Sequence, residues 1–435
     1  MTAEIAALNK LAVALAADSA VTVMSQARQA KIYNTVNKLF ALSKYHPVGI
    51  MVYGGAELMG VPWETVVKMY RPSLHTKRFD TLEGYADHFL KFLADDKVIV
   101  SPKQEAQFLK DTLADFYEAL VAAVTNNVET SMKKGGQVTL QQVGQVVDDL
   151  VSKSWESWQK AKVLEHIREK PFYKEVVATH GAMINESIAN AFQKLPISPK
   201  ARRTLIDLAV GLLCRDRFSE EHSGVVIAGF GDKEPYPSLL AYVVDLRACG
   251  KLKYRQDQKV TIGAGSGSAI VPFAQYEMVD AFMRGIDPRF GQAILNSVER
   301  VLQVLPERLV KDLPDLTAER QAEFVAAARH AAERLHDEYY KGMRELSADK
   351  FTAPVLDAVE SLPKDELAAV AEELVNLTKF KRRISMDQET VGGPIDVAVI
   401  SRGDGLVWIK RKHYFEPGLN PHFVANYFRE VGEDE

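Results

Sequence analysis

The second residue of the chain, Thr2, carries a hydroxyl group beside the start of the polypeptide. The sequence opens Met-Thr-Ala-Glu, and a small residue at position 2 normally leads to removal of Met1. Thr2 would then have a free α-amino group with a pKa of about 7.7–8.0, which can accept the proton of the hydroxyl. A Met-Thr start is common among proteins, so this chemistry needs support from other residues.

Several later segments carry residues that could complete such a site. Asp18 follows Thr2 by sixteen positions, at the end of the run TAEIAALNKLAVALAAD. Three other segments follow in order: KLFALSKYHPVGIMVYGGAE, which begins with Lys38 and contains Gly54 and Gly55; GVVIAGFGDKEPYPSLLAYVVD, followed by GAGSGSA with Ser266; and VGGPIDVAVISRGDGLVWIKR, preceded by Asp387.

Together these segments resemble the proteasome β-type subunits and their bacterial relatives, threonine proteases of the N-terminal nucleophile hydrolase superfamily. The resemblance covers roughly half of the chain. It implies an α+β fold, a four-layer αββα sandwich, and hydrolysis of peptide bonds with no metal or organic cofactor. It also implies a homo-oligomer built as rings of like subunits and a peptide or unfolded polypeptide as the substrate. An ATPase that unfolds substrates would be the partner of such rings.

The resemblance also assigns roles to the matched residues. Thr2 is similar to the nucleophile, and Asp18 and Lys38 are similar to the charged residues that tune its amine. A backbone N–H at Gly54 or Gly55 would stabilise the oxyanion. Ser266 and Asp387 are similar to residues that support the amine.

Three local departures from the family pattern leave alternatives open. Lys31 competes with Lys38 for the role of the lysine, and Lys38 is preferred because it leads directly into a strand. The strand that ends at Tyr53 is slightly long, so either glycine could supply the oxyanion donor. Residues 387–391, Asp-Gln-Glu-Thr-Val, stand where the family has Asp-x-x-Ser. The support that the family's Asp and Ser give to the N-terminal amine is therefore altered in this chain.

The hydropathy pattern predicts the elements that must position these residues. The predicted strands and the predicted helices occur in separate, alternating blocks along the chain. This order indicates antiparallel sheets flanked by helices rather than a doubly wound sheet. After the loop at Gly263–Ser268 we predict a helical pattern to about Leu305. The predicted strands are Ile5–Leu8, Leu11–Ala17, Lys38–Val52 with a turn at 44–47, Gly224–Phe230, Leu239–Leu246, Lys259–Ile262, Ile395–Ile400 and Leu406–Lys410.

These blocks predict one catalytic domain interrupted by two helical insertions. The catalytic domain comprises residues 1–81, 218–304 and 363–435, and the insertions comprise 82–217 and 305–362. Ordinary subunits of the family have no counterpart to the insertions, which would block rings of the usual kind. We expect the first insertion to form a bundle that packs over the sandwich as a lid or as a contact between subunits, because its apolar stripes must be buried.

Composition restricts the setting and the partners. A formal charge of −4 provides no global field for nucleic acid or an anionic membrane. Two distant cysteines, Cys214 and Cys249, exclude a disulfide scaffold and fit a reducing, cytoplasmic location. No apolar run approaches the roughly 18 residues of a membrane helix. The apolar run at Leu11–Ala17 is interpreted as a strand, because the chain opens Met-Thr-Ala-Glu, without the positive charge that begins a secretory signal, and Lys10 interrupts the apolar stretch.

Two rival interpretations concern the later segments. The Gly263-Ala-Gly265-Ser-Gly267 loop could indicate a dinucleotide site, but that fingerprint needs a parallel strand after the helix. The basic cluster at 379–383 is interpreted as a solvated helix end rather than a nucleic-acid patch. A second function class also stays open, a non-catalytic scaffold of the same fold whose helical insertions bind a partner.

Overall fold

The computed structural model describes residues 3–24, 30–133, 138–311, 317–385, 391–422 and 425. It describes their side chains except at residues 22–24, 30–32 and 417. Two of the residues singled out above, Thr2 and Asp387, lie outside the described residues. The chain divides into two compact units. Unit 1 comprises the described residues up to Val36, Thr261–Ser401 and those from Val407 onward, and unit 2 comprises Asn37–Val260 and Arg402–Leu406.

The strands fall at the two ends and in the middle of the chain. In chain order they are β1 (Ala3–Asn9), β2 (Ala12–Ala17), β3 (Val21–Met24), β4 (Ala30–Tyr33), β5 (Leu39–Ala41), β6 (Val48–Gly54), β7 (Glu57–Leu58), β8 (Val61–Pro62), β9 (Ser223–Gly229), β10 (Ser238–Ala248), β11 (Lys251–Thr261), β12 (Ser268–Ala274), β13 (Asp396–Ser401) and β14 (Gly405–Lys410).

The helices form two long blocks between the strands. In chain order they are α1 (Trp63–Leu74), α2 (Leu82–Asp95), α3 (Pro102–Lys133), α4 (Leu140–Gln159), α5 (Glu169–Phe192), α6 (Pro199–Cys214), α7 (Glu277–Arg284), α8 (Pro288–Lys311), α9 (Ala318–Ser347), α10 (Ala353–Glu360) and α11 (Lys364–Ile384). Mixed helix and antiparallel sheet is therefore confirmed.

Unit 1 is built on a five-stranded antiparallel sheet with the order β12-β1-β2-β13-β14. Alternate residues of β1, such as Ile5 and Ala7, pack against α7, α10 and α11 in one hydrophobic core. Helix α11 contributes Leu367 and Ala371 to that core. The intervening residues of β1 are buried as well, so both faces of this strand are removed from solvent.

Unit 2 is built on a second five-stranded antiparallel sheet with the order β11-β10-β9-β6-β5. Val225 and Ile227 of β9 share a core with α1 and α2, to which Trp63 and Phe89 belong. The other residues of β9 are also buried. Each sheet therefore has helices of its own unit on one face and a second face that is buried.

Helices α3–α6 form a bundle that continues the core of unit 2. The contacts run between α3 and α5, between α4 and α6, between α3 and α4, and between α5 and α6. Tyr117 of α3 is fully buried and donates a hydrogen bond to the carbonyl oxygen of Leu205 in α6 at 3.0 Å. The expectation that residues 82–217 are helical is confirmed, with α2 packed on β9 and β10. A lid function of the bundle stays a prediction.

The helical pattern predicted directly after the glycine-rich loop is wrong for its first part. Residues Ser268–Ala274 form β12, which pairs with β1 along its whole length. Pro272 has no N–H to donate, and it is tolerated because β12 is the edge strand of its sheet. The loop therefore precedes a strand, and a dinucleotide fingerprint, which needs a helix at this point, is excluded.

None of the described helices is both long enough and apolar enough to cross a membrane.

Candidate active site

The described part of the chain begins at Ala3, and this residue is bound to Asp18. The backbone N–H of Ala3 donates to Oδ1 of Asp18 at 3.3 Å. The backbone N–H of Asp18 donates in return to the carbonyl oxygen of Ala3 at 3.2 Å. Asp18 is fully buried directly after β2. The β1–β2 hairpin therefore places a buried carboxylate against the residue that follows Thr2.

A second contact to Asp18 comes from the Gly392-Gly393 pair just before β13. Oδ2 of Asp18 accepts hydrogen bonds from the backbone N–H groups of Gly392 at 2.9 Å and of Ala20 at 3.3 Å. With the N–H of Ala3, three backbone donors offset the desolvation of this carboxylate. The hydroxyl of Ser19 donates to the carbonyl oxygen of Pro394 at 2.5 Å and anchors the same segment.

Gly393 shows why this segment contains two glycines. Its φ is +75°, in the left-handed region, and a Cβ atom there would lie 2.5 Å from the carbonyl oxygen of Asn34. It would also lie 3.1 Å from Cβ of Ser19. A side chain would therefore force the segment away from Asp18 and Ser19.

Ser266 does not lie at this end of the sheet. Its hydroxyl donates to the carbonyl oxygen of Ser268 at 3.3 Å, and Ser268 is paired with Asn9. Ala3 lies at the opposite end of the same strand, where it is paired with Ala274. At about 3.3 Å per residue, the two ends of β1 are about 20 Å apart. The prediction that Ser266 supports the amine beside Asp18 is therefore wrong.

Gln275 takes the position at the Asp18 end that sequence reasoning gave to Ser266. It follows Ala274, whose φ of +58° turns the chain at the end of β12. The Gln275 side chain is buried, and its Oε1 accepts a hydrogen bond from Nε of Arg382 at 2.6 Å. The sequence interpretation missed Gln275 because it assigned no strand to Ser268–Ala274, and only that strand's register shows which residue approaches Ala3.

Two more buried carboxyl groups lie one row further into the sheet. Glu4 and Asp396 are both paired with Ala17, which precedes Asp18. Asp396 forms an ion pair with Lys412 and accepts the backbone N–H of Lys412 at 2.8 Å. Both carboxyl side chains are buried. Sequence reasoning missed them, because an acidic residue within an apolar run has no spacing signal of its own.

Lys38, Gly54 and Gly55 belong to unit 2. Lys38 is 3% exposed and directly precedes β5. Its carbonyl oxygen accepts the backbone N–H of Val52 in β6 at 2.8 Å. Lys31, its competitor, lies in β4 of unit 1. Lys38 therefore introduces the fifth strand of the chain, since the short β3–β4 hairpin precedes it.

The strand pairing between β6 and β9 shows that the N–H groups of Gly54 and Gly55 point to opposite sides of β6. The N–H of Gly55 donates to the carbonyl oxygen of His222 at 3.0 Å, so it is already used. Hydrogen-bonded and non-hydrogen-bonded pairs alternate in an antiparallel ladder, and Gly54, paired with Ser223, is in the alternate class. Its N–H therefore faces the side of β6 to which the N–H of Val52 points, away from β9.

Ser223 and Trp63 hold the loop after Gly54. The hydroxyl of Ser223 donates to the carbonyl oxygen of Gly55 at 3.0 Å and accepts Nε1–H of Trp63 at 2.8 Å. Gly54 has a φ of +74°, and a Cβ atom there would lie 2.7 Å from the carbonyl oxygen of His222. The loop conformation that directs the Gly54 N–H is thus fixed on both sides. Neither side chain carried a sequence signal.

We expect Ser223→Ala to loosen this loop. The substitution leaves the buried indole N–H of Trp63 without its acceptor, which costs about 1–3 kcal/mol of unfolding free energy. If Gly54 stabilises an oxyanion, kcat for peptide hydrolysis should fall about tenfold or more with KM little changed. Ser223→Thr, which keeps the hydroxyl, should retain most activity, and Ser219→Ala on the exposed loop is the matched control. A lower unfolding free energy with unchanged kcat would contradict the positioning role.

The described residues contain no group of three or more His, Cys, Asp or Glu side chains that could hold a metal ion.

The sequence was compared with known proteins. No protein-family model matches it, and no curated protein matches it significantly.

Proposed function

We propose that the chain is an N-terminal threonine hydrolase that cleaves peptide or other amide bonds. The observation that carries the proposal is the Ala3–Asp18 pair, which places a fully buried carboxylate one residue from Thr2. Three backbone N–H donors fix that carboxylate. Such an arrangement is expected where a charged group must be held beside a reacting amine.

The proposed fold is the αββα sandwich, with one sheet and its helices contributed by each unit. Two observations support it: each sheet carries helices of its own unit on one face, and the second face of β1 and of β9 is buried. A strand buried on both faces belongs to an inner layer.

In the proposed mechanism Thr2 Oγ attacks the substrate carbonyl while the α-amine takes its proton. Asp18 and Lys38 set the electrostatic field at the amine, and the N–H of Gly54 stabilises the oxyanion. Asp387 keeps its proposed supporting role on the resemblance alone. Gln275 enters the proposal in place of Ser266, as the polar side chain that follows the partner of Ala3.

Substrate and setting are proposed from the resemblance. Peptides or unfolded polypeptides are the proposed substrates, with an ATPase unfoldase as a possible partner and the cytoplasm as the location. The net charge of −4 supports neither a nucleic acid nor an anionic membrane as the main partner.

The second candidate is a non-catalytic scaffold of the same fold. The position of Ser266 favours it, because the serine that resembles the supporting residue of active subunits lies at the far end of β1 from Asp18. The altered segment at residues 387–391 also favours it. In this case the helical insertions would bind a partner.

The state of the N-terminus tests the proposal. We expect the intact mass of the purified protein to correspond to loss of Met1 with an unmodified Thr2, because only a free amine can act as the base. An epoxyketone or boronate inhibitor should then add one adduct to the chain. A retained Met1 or an acetylated Thr2 would exclude the catalytic mechanism, and a free Thr2 that forms no adduct would favour the scaffold.

A further inference from the structure

Helices α8 and α9 of unit 1 form an antiparallel hairpin with almost no buried side chains. Among its described residues, α8 buries only Pro306 and α9 buries none. Arg329 of α9 forms an ion pair with Glu307 of α8. This pair fixes the register, and residues equally distant from it, such as Val301 and Leu335, lie level with each other.

The two flanks of the hairpin differ in polarity. One flank is a polar groove that both helices line, with Glu299, Gln303 and Glu307 from α8 and Arg329, Glu333 and His336 from α9. Residues at three- and four-residue steps share one side of a helix. The opposite flank therefore carries two apolar rows: Phe290, Ile294, Val301 and Leu305 on α8, and Phe324, Ala331 and Leu335 on α9.

The outer residues of the apolar flank are open to solvent, whereas Ile294, Phe324 and Ala331 are half-buried. The exposed fractions are 62% for Phe290, 65% for Val301 and 55% for Leu335. An exposed apolar strip of this length, bordered by charged residues, marks an interaction surface. The polar flank is less suited to this role, because Arg329 and Glu307 already pair across its groove.

The charges along the α9 edge of the apolar flank are arranged for a second copy of the same hairpin. Arg320 borders this edge toward the tip and Glu345 borders it toward the base, and both are exposed. A two-fold axis that lies in the contact and crosses α9 midway between these residues would lay α9 of one copy antiparallel on α9 of the other. Arg320 of each copy would then lie against Glu345 of the second copy.

The area of the flank is sufficient for a stable dimer. Helix α8 has 24 residues and is about 36 Å long. With helix axes about 10 Å apart, the flank is about 20 Å wide, which gives about 700 Å² for each copy. The total of about 1,400 Å² lies in the range of specific protein interfaces.

We propose that the apolar flank of the α8–α9 hairpin is an isologous self-association surface, on which two copies of this chain pack tip to base as a four-helix assembly. The two-fold relation makes the contact self-complementary, because each copy offers both the arginine end and the glutamate end. The interface does not depend on whether the chain is a hydrolase.

Oligomeric state tests this surface. Sedimentation equilibrium and light scattering should give an even number of copies for the wild-type chain, and Val301→Asp combined with Leu335→Asp should halve the mass or weaken association at least 100-fold. Gln303→Asp, on the polar flank of the same helix, should leave the mass unchanged. Circular dichroism of each variant checks that the fold is intact.

A charge exchange tests the tip-to-base arrangement. Glu345→Arg should weaken the assembly, and adding Arg320→Glu should restore it. A wild-type chain that is monomeric at about 100 µM, or an assembly that keeps its mass in the Val301→Asp, Leu335→Asp variant, would overturn the proposal. Failure of the charge exchange to restore the assembly would overturn the tip-to-base arrangement.

Discussion

Thr2→Ala should abolish hydrolysis, whereas Thr2→Ser should retain a measurable fraction of the wild-type rate. Alanine keeps the α-amine but removes the hydroxyl, so no acyl ester can form on the enzyme. Serine keeps both groups at the same position and loses only the methyl group. The difference between the two variants isolates the nucleophile from the rest of the site.

The chemical steps show why both groups are needed. Thr2 Oγ forms a bond to the substrate carbonyl carbon as its proton passes to the α-amine. The resulting ammonium then gives its proton to the leaving amine when the peptide bond breaks. Water, activated by the same amine, hydrolyses the ester and releases Thr2. Because the base is an amine, activity should fall on the acid side as it becomes protonated.

Short fluorogenic peptides and an unfolded polypeptide are suitable substrates for this comparison. Intact mass should confirm loss of Met1 in both variants, since Ala and Ser are also small second residues. Hydrolysis by Thr2→Ala at the wild-type rate would show that another residue is the nucleophile. Equal loss in Thr2→Ala and Thr2→Ser, with a free N-terminus in each, would contradict the proposed attack by the hydroxyl.

The strands around Asp18 were accessible from sequence, because they are short apolar runs separated by turn residues. The predicted strand at Leu11–Ala17 and the final hairpin correspond to β2, β13 and β14. The sequence spacing also placed Asp18 at the end of a hairpin. The contact of Asp18 with Gly392 was not accessible, since the two residues are 374 positions apart and only the pairing of β13 with β2 joins them.

The error at β12 shows where sequence reasoning failed. The run Ser-Ala-Ile-Val-Pro-Phe-Ala contains a proline and leads into a helix, so its period was ambiguous. Its strand conformation comes from pairing with β1, which is remote in sequence. Once that register is known, Ser266 moves to the far end of the sheet and Gln275 to the near end. The small residues of the Gly263–Ser268 loop therefore predicted a turn correctly, but the supporting role predicted for Ser266 was wrong.

The choice between Gly54 and Gly55 needed the ladder as well. Gly54 is the last residue of β6 and Gly55 follows it directly, so the sequence around the two glycines is the same. Their difference is the direction of one N–H group, which is set by the hydrogen bond between Gly55 and His222. Lys38 and Lys31 are also distinguished by a strand, because Lys38 directly precedes the strand that begins at Leu39 and Lys31 does not.

Lys38→Ala should reduce hydrolysis by about 100-fold or more, while Lys31→Ala should leave most of the activity. Lys38 is buried directly before the start of β5. Its positive charge would favour the neutral form of the Thr2 amine, and removal of that charge leaves the base protonated at neutral pH.

Lys38→Met is the control for packing, because methionine preserves much of the aliphatic volume without the charge. It should lose activity as Lys38→Ala does but unfold closer to the wild-type chain, and circular dichroism with thermal melts measures the difference. Activity of all three variants should be measured from about pH 6 to pH 9, since a raised amine pKa shifts the acid limb upward. Equal losses for Lys31→Ala and Lys38→Ala, or the reverse order, would show that the lysine of the site was assigned to the wrong strand.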